Sequence, residues 1–523
     1  MKTMKKLNMT VFLALLIALS GCKKDNIHNE PITEPKESQF HEGMIQLGKK
    51  LENPYSVENM RKAYNNIKDD SQLKSTNITE SDIKVTHLYV RFLPKSDRDY
   101  AMLLNDTTLI LFDYPLDYEL KEGGTYYHDP EIPDSCYTWK YCSVEKGYDF
   151  PNIEYEITEE LFLPESMTDD ASLKSSDTWT FWDDLEVEAL KITNNIDDFK
   201  NSELKSTNAR DKWNPRGKIQ MFDNSPGVNR LVPLRGVKVI AHSWFTTKDE
   251  ITEEDGTFFF VHQFKGHVNY SIKWERNDFE IRDTRWGQAY YNGPRLDDEP
   301  WNLDISSGLS RMYAIIHRAA HRYYYENHAG LRTPPLRDEM LGRVTIGAFD
   351  WTNDDANADC APIKRWTTFP EIRIFNPNRT CEALYSTTIH ELAHASHWKL
   401  GTKNDFTFCD LIVCESWARG VQVAITNLEY PGHSISYSRL DYTGVVLDML
   451  DGNKTTTSNY HSTYDVFSEK SYSDRVSGYT IRQLEDALVG QRTWNSWRDN
   501  IKNKYTNETE INLDAAFAYW NNK

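Results

Sequence analysis

The sequence predicts a multidomain α+β protein, and three observations carry that prediction. The period of the apolar residues changes along the chain: alternating or continuous apolar runs near 84–165, strand-and-turn patterning across 213–305, and long helical runs from 308 onward. A stretch rich in Ser, Asp, Asn and Lys at 166–210 interrupts the first of these from the second. Hydrophobic residues make up 39% and aromatics 13% of 523 residues, enough for about three cores. The expected order is 1–21 as a leader, 22–83 as tether and helical segment, 84–210 as a small α+β unit with linker, 211–305 as an all-β unit, and 306–523 as a mainly helical domain.

The leader has a basic start, Lys2, Lys5 and Lys6, and an apolar run from Val11 to Leu19 that is too short for a stable membrane span. It ends in Leu19-Ser20-Gly21-Cys22, which resembles a bacterial lipobox. That resemblance implies cleavage before Cys22 and lipidation of its thiol, so the membrane is a partner through the anchor. Lys23 is not the Asp that favours retention at the inner membrane, so attachment to the outer membrane, facing periplasm or cell surface, is the expectation. The wider chain resembles large lipoproteins of gut-type Gram-negative bacteria.

From Lys23 to Ser38 the chain is polar and Pro-bearing, as a tether is. Residues 40–69 read as two helical pieces broken at Pro54. His87–Leu93 and Thr108–Phe112 read as strands with a helix between them, and the linker 166–210 holds one short helix. A net charge of −19 argues against nucleic acid or an anionic lipid surface as a partner.

In the all-β unit, Pro233-Leu234-Arg235-Gly236-Val237-Lys238-Val239, Thr246-Thr247 and Asp255-Gly256-Thr257-Phe258-Phe259-Phe260 read as strand, turn, strand. Asp255-Gly256 supplies the turn, and Phe258 and Phe260 face one side. These strings resemble the carboxypeptidase-regulatory-like, transthyretin-type β-sandwich, which implies a structural spacer or adhesive module.

The helical domain opens with 308–330, which carries His317-Arg318-Ala319-Ala320-His321. The histidine spacing suits a metal, but Arg318 stands where a base would be, and a satisfied packing pair is the better reading. Arg343–Phe349 and Glu371–Phe375 read as strands. Then comes Ser386-Thr387-Thr388-Ile389-His390-Glu391-Leu392-Ala393-His394-Ala395-Ser396-His397-Trp398, capped or started at Thr387 or Thr388. His390 and His394, four apart, project from one helix face and can grip one zinc ion, with Glu391 beside them to act on a water. His397 is read as a satisfied or exposed histidine, because a third ligand from one straight helix has poor geometry.

The third ligand is sought downstream. The metzincin pattern is excluded, because Leu400 stands where its third histidine belongs. Asp410–Ile425 is a mostly apolar helical run with one acid in its interior, Glu415, which is costly there unless a cation satisfies it. The alternative is an ordinary pair with Arg419 one turn on. His390-Glu391-x-x-His394 followed by Glu415 resembles the gluzincin metallopeptidases, and Glu415-Ser416-Trp417-Ala418 resembles the glutamate-helix string of zinc aminopeptidases. The resemblance covers about 345–490 and implies a zincin-like catalytic domain, a Zn2+ cofactor and a protein or peptide substrate. It implies Glu391 as general base and a later Tyr or His as oxyanion donor: Tyr479 in first place, with Tyr442 and His461 as competitors. It also implies a substrate-binding strand edge before the zinc helix, at Arg343–Phe349 or Glu371–Phe375. Gly347-Ala348-Phe349-Asp350 faintly resembles the aminopeptidase strand that binds a free amine. One departure stands out: thermolysin-like enzymes have an Asp where this chain has Arg419, so the support of the ligands must be built differently.

Three protein ligands leave a fourth position on zinc for water, whose pKa then falls toward ~7, and Glu391 can take and return its proton. The second reading is a surface binding or assembly lipoprotein with a structural or vestigial zinc site, motivated by the β-sandwich and by 15 Trp and 29 Tyr. Besides Cys22, six cysteines fall in local pairs: Cys136 with Cys142, Cys360 with Cys381, and Cys409 with Cys414. Disulfides are expected, although six cysteines allow fifteen connectivities. The last pair requires its helix to start after Cys409, near Asp410.

Overall fold

The computed structural model describes residues 43–68, 78–133, 136–167, 180–198, 212–283, 287–334, 342–353, 356–360, 370–435, 437, 440–450 and 475–521. The leader, Cys22, the tether and His461 lie outside them. Content is mixed, with eleven α-helices and several β-sheets among the described residues, and none of these helices is long and apolar enough to cross a membrane.

Where the sequence predicts two helical pieces, the first is a strand. Gln46–Lys50 pairs antiparallel with Tyr118–Glu122, and the helix starts only at Val57, capped by Ser56. Gly48 weakens a helix at that point, and the partner strand lies some seventy residues away, where local pattern cannot reveal it. His87–Leu93 is the central strand of a three-stranded sheet, flanked by Lys140–Glu145 and Glu154–Leu161. The helix Asp97–Asn105 follows it, but Thr108–Phe112 contributes only a single bridge, Phe112 with Tyr141. The linker helix, Phe181–Ile192, packs against Val57–Ile67.

Two four-stranded sheets follow. One joins Thr257–Phe259, Arg216–Asp223 and Trp301–Ile305, with Arg230–Pro233 also on Arg216–Asp223. The other runs Tyr290–Leu296, Val268–Lys273, Lys238–Ser243, Thr246–Ile251. Tyr270 of the second meets Phe258 (6.0 Å) and Trp301 (5.1 Å) of the first, ring to ring, so the sheets share a core. Strand alternation sorts the phenylalanines as expected: Phe258 and Phe260 are buried while Phe259 is exposed. Gly256 takes the turn with φ +81°.

Part of this region belongs elsewhere. Phe279–Asp283 runs parallel to Val344–Ala348 inside a five-stranded sheet ordered Gly287–Gln288, Phe279–Asp283, Val344–Ala348, Ile372–Ile374, Ala358–Cys360. The two strands expected to offer a substrate-binding edge are therefore interior. Among the described residues the last strand on that side is the short antiparallel strand Ala358–Cys360, buried throughout, whose three residues carry no readable period. The helix Gly308–Tyr325 packs between this sheet and the later helices. On it, His317 is fully buried with Nε2 3.2 Å from the Arg235 carbonyl, and His321 sits 2.8 Å from Glu326. Arg318 donates to Asp223 (2.9 Å) and Glu429 (2.5 Å), bonds that tie three elements together.

Candidate metal centre

Cys381–Leu400 is the histidine helix and Leu411–Glu429 the glutamate helix. Thr380 caps the first by accepting from the Ala383 N–H, so it begins two turns earlier than Thr387 or Thr388 would start it. Thr388 instead turns back to the Leu384 carbonyl, 2.9 Å away, as a mid-helix threonine does. Nearly every residue from Cys381 to Trp398 is buried, because the helix is enclosed by the glutamate helix, by Gly308–Tyr325 and by the five-stranded sheet. The glutamate helix starts at Leu411 with Asp410 in the N-cap position, which meets the geometric condition for Cys409 and Cys414. Both stand as thiols, and the hydrogen bond to Cys409, with burial, holds the Cys414 thiol well above its ordinary range. Cys381 approaches Arg311 and the Phe222 carbonyl.

The two helices pack directly, and their contact assembles the site. His390 Nε2 lies 3.1 Å from His394 Nε2 and 3.1 Å from Glu415 Oε2, and His394 Nε2 lies 3.4 Å from that oxygen. All three residues are buried, and they are the single group of three or more His, Cys, Asp or Glu among the described residues placed to hold a metal. A tetrahedral ion with bonds of about 2.0–2.1 Å has ligand–ligand edges of about 3.3–3.4 Å. The three observed edges fall close to that triangle.

The donor chemistry agrees. Burial holds His390 down to about 4, against the pull of Glu415, so its ring is neutral at physiological pH. Burial would lower His394 as well, yet the Glu415 charge raises it above its ordinary value. Burial would raise Glu415, and the two histidines beside it hold it well below the carboxylate range. In these shifts positive charge at the histidines balances the buried Glu415 carboxylate, and a proton is one way to supply it. A divalent cation supplies it with both imidazoles neutral. His394 Nδ1 is buried and lacks a hydrogen-bond partner among the described residues.

Glu391 is buried beside the ligands, and its charge is felt at His394. Arg419 does not pair with Glu415 as the alternative reading had it. Its Nη1 donates to Gln422 Oε1 (3.2 Å), and its guanidinium lies 4.6 Å over the ring of Tyr442. Tyr442 in turn lies 6.3 Å from the His390 ring, centroid to centroid. Tyr479 is placed differently. Its N–H donates to the Met449 carbonyl, and burial, with Glu510, pushes its buried phenol to about 12. None of its hydrogen bonds or ring contacts reaches the three ligands, because the turn before Ile481–Leu488 is held against the end of Val445–Leu450 instead. His397 is a core histidine, edge-on to Phe406 at 5.0 Å and held to about 3 by burial.

Sequence reading missed Gln422, whose Oε1 lies 3.1 Å from His390 Nδ1. Its position, two turns after Glu415 on the same helix face, is the one signal that pointed to it. No family model, curated protein or solved structure matches the chain.

Proposed function

We propose that this chain is a zinc-dependent metallopeptidase of the gluzincin type, hydrolysing peptide bonds in a protein or peptide substrate. The observation that carries the reading is the triangle of His390, His394 and Glu415, whose edges suit a tetrahedral ion, with Glu391 following the first ligand. When bound, zinc supplies Lewis acidity toward a carbonyl and an acidified water. The protein's own groups do the rest. Glu391 accepts a proton from the attacking water and returns it to the leaving amine. Tyr442, beside His390 and beneath Arg419, takes the place of Tyr479 as oxyanion donor in this reading.

The remaining assignments join the proposal. Cys22 is the lipid-attachment residue and the outer membrane the location, on the strength of the first 23 residues. The two facing sheets within 216–305 serve as the β-sandwich spacer, supported by their shared core.

The test is zinc content by elemental analysis after purification with zinc present, together with hydrolysis of a peptide library with and without EDTA. About one zinc per chain and EDTA-sensitive cleavage are expected. Absence of bound zinc removes the proposal. Stoichiometric zinc without cleavage, alongside binding of a glycan or protein that a Glu391→Gln variant retains, transfers it to the binding-lipoprotein reading.

A further inference from the structure

We infer that Gln422, Ser386 and His433 are positioning residues that set the tautomer of His390, with the carboxylate of Glu382 fixing the direction of every hydrogen bond in the chain between them. The inference rests on the metallopeptidase reading for its purpose, but its geometry stands by itself.

Four consecutive contacts run inward from the protein's edge. Glu382 Oε1 lies 2.5 Å from His433 Nδ1, His433 Nε2 lies 2.9 Å from Ser386 Oγ, Gln422 Nε2 donates to Ser386 Oγ at 2.7 Å, and Gln422 Oε1 lies 3.1 Å from His390 Nδ1. Glu382 is partly exposed, while Ser386, Gln422 and His390 are buried. A carboxylate only accepts, so His433 carries its proton on Nδ1. In the neutral ring Nε2 is then a lone pair, and the Ser386 hydroxyl donates to it. The serine oxygen is left to accept, which turns the Gln422 amide group toward it and the Gln422 carbonyl toward His390. Arg419 Nη1 donates to that same carbonyl oxygen at 3.2 Å, and an arginine can only donate. The orientation of Gln422 is thus fixed from both ends.

His390 must therefore donate from Nδ1, which leaves its Nε2 as a lone pair, and in the metal-free site the proton that Glu415 and this lone pair share is the one on His394 Nε2, 3.4 Å and 3.1 Å away. A ligand held this way is fixed in ring rotation and in protonation before any ion arrives, and the loss of such a partner typically costs about 10–100-fold in metal affinity. Among the described residues His394 has no such partner at its own Nδ1, so the preorganisation seen here acts through His390.

The experiment uses the full chain labelled with 15N-histidine, first stripped of metal and then titrated with zinc. In the metal-free wild type the His390 ring, assigned by its loss in a His390→Gln variant, is expected as the Nδ1–H tautomer. Finding the Nε2–H tautomer overturns the inference. Ser386→Ala/Arg419→Ala removes both groups that orient the amide and is expected to give both tautomers; an unchanged pure Nδ1–H spectrum overturns the inference. Gln422→Leu is expected to weaken zinc binding about 10–100-fold. Gln422→Glu, which keeps an acceptor at the same place, is expected to hold wild-type affinity within a few-fold; equal affinity in Gln422→Leu overturns the inference. Where Gln422→Leu does not fold, the tautomers of the wild type and of Ser386→Ala/Arg419→Ala decide. A wild type that shows the Nδ1–H tautomer but takes up no zinc upholds the inference and removes the metallopeptidase reading.

Discussion

Glu415 and Gln422 stand seven residues apart on one face of the glutamate helix and reach opposite nitrogens of the same imidazole: Oε2 of the first lies 3.1 Å from His390 Nε2, and Oε1 of the second lies 3.1 Å from His390 Nδ1. Two turns of helix bring these side chains almost into register. One helix thus contributes both a ligand and the support of another ligand, and the roles separate cleanly by mutation.

Glu391→Gln keeps the three ligands and is expected to retain zinc while turnover falls by about 10²–10⁴-fold, the usual worth of a general base. Glu415→Ala leaves two imidazoles and loses zinc. Arg419→Ala leaves the metal largely in place, because its contacts are to Gln422 and Tyr442. Elemental analysis beside peptide hydrolysis reads all three, and stoichiometric zinc at unchanged affinity in Glu415→Ala would remove Glu415 from the ligand set.

The close approach of two helices at Gly420 predicts a second effect. A Cβ built there falls 2.2 Å from Val446 Cγ1 and 2.4 Å from its Cβ, and a valine Cβ cannot swing away. Gly420→Ala gains up to about 1 kcal/mol of helix propensity but loses about 1–3 kcal/mol or more to overpacking. Net destabilisation in urea unfolding is expected, and a Gly420→Ala variant as stable as the wild type would refute the close approach.

Asp283 gives the pH dependence a sign. Burial pushes this carboxyl up to about 6, despite the Thr125 hydroxyl 2.7 Å away, whereas an unfolded Asp titrates near ~3.9. The folded state therefore binds the proton more tightly. The contribution is fully present below about pH 4 and is lost as pH rises to about 6, by about 3 kcal/mol in all. Asp283→Asn removes that loss. The variant is expected to gain on the wild type between pH 4 and pH 7 by about 3 kcal/mol in denaturant unfolding, and a difference independent of pH would refute the assignment.

Cys409 and Cys414 are expected to close a disulfide under mild oxidant, since Asp410 ends the turn between them and Cys414 already hydrogen-bonds to Cys409. Differential alkylation and peptide mass mapping would show the linked pair; two alkylated thiols after oxidation would count against it.

The parts of this site that sequence revealed are those whose chemistry is odd for their surroundings. His390, Glu391 and His394 declare themselves by helical spacing, and Glu415 by being an acid inside an apolar run. Gln422 and Ser386 are ordinary on a helix, and nothing marks a neutral amide as the orienter of a ring from another helix. His433 lies beyond the helix in a turn, with no pattern at all. The fold divides in the same way. His87–Leu93 and Asp97–Asn105 follow from local period, whereas Gln46–Lys50 and Ala358–Cys360 become strands only through distant partners, Tyr118–Glu122 and Ile372–Ile374. The histidine helix starts after Thr380 rather than at Thr387 or Thr388, because the turn between them is already helical and buried from Leu384 onward.

The strand Phe279–Asp283 bears on how this protein can be dissected. It precedes residue 306 yet lies within the five-stranded sheet, hydrogen-bonded along its length to Val344–Ala348. A fragment expressed from 306 onward keeps the whole histidine helix and the whole glutamate helix, but its sheet opens along Val344–Ala348. That apolar, fully buried strand becomes a bare edge, the kind that recruits other chains. Insolubility of such a fragment would then report a missing strand rather than a defect of the two helices, and a cut for expression belongs ahead of Arg216–Asp223, whose Asp223 also anchors Arg318.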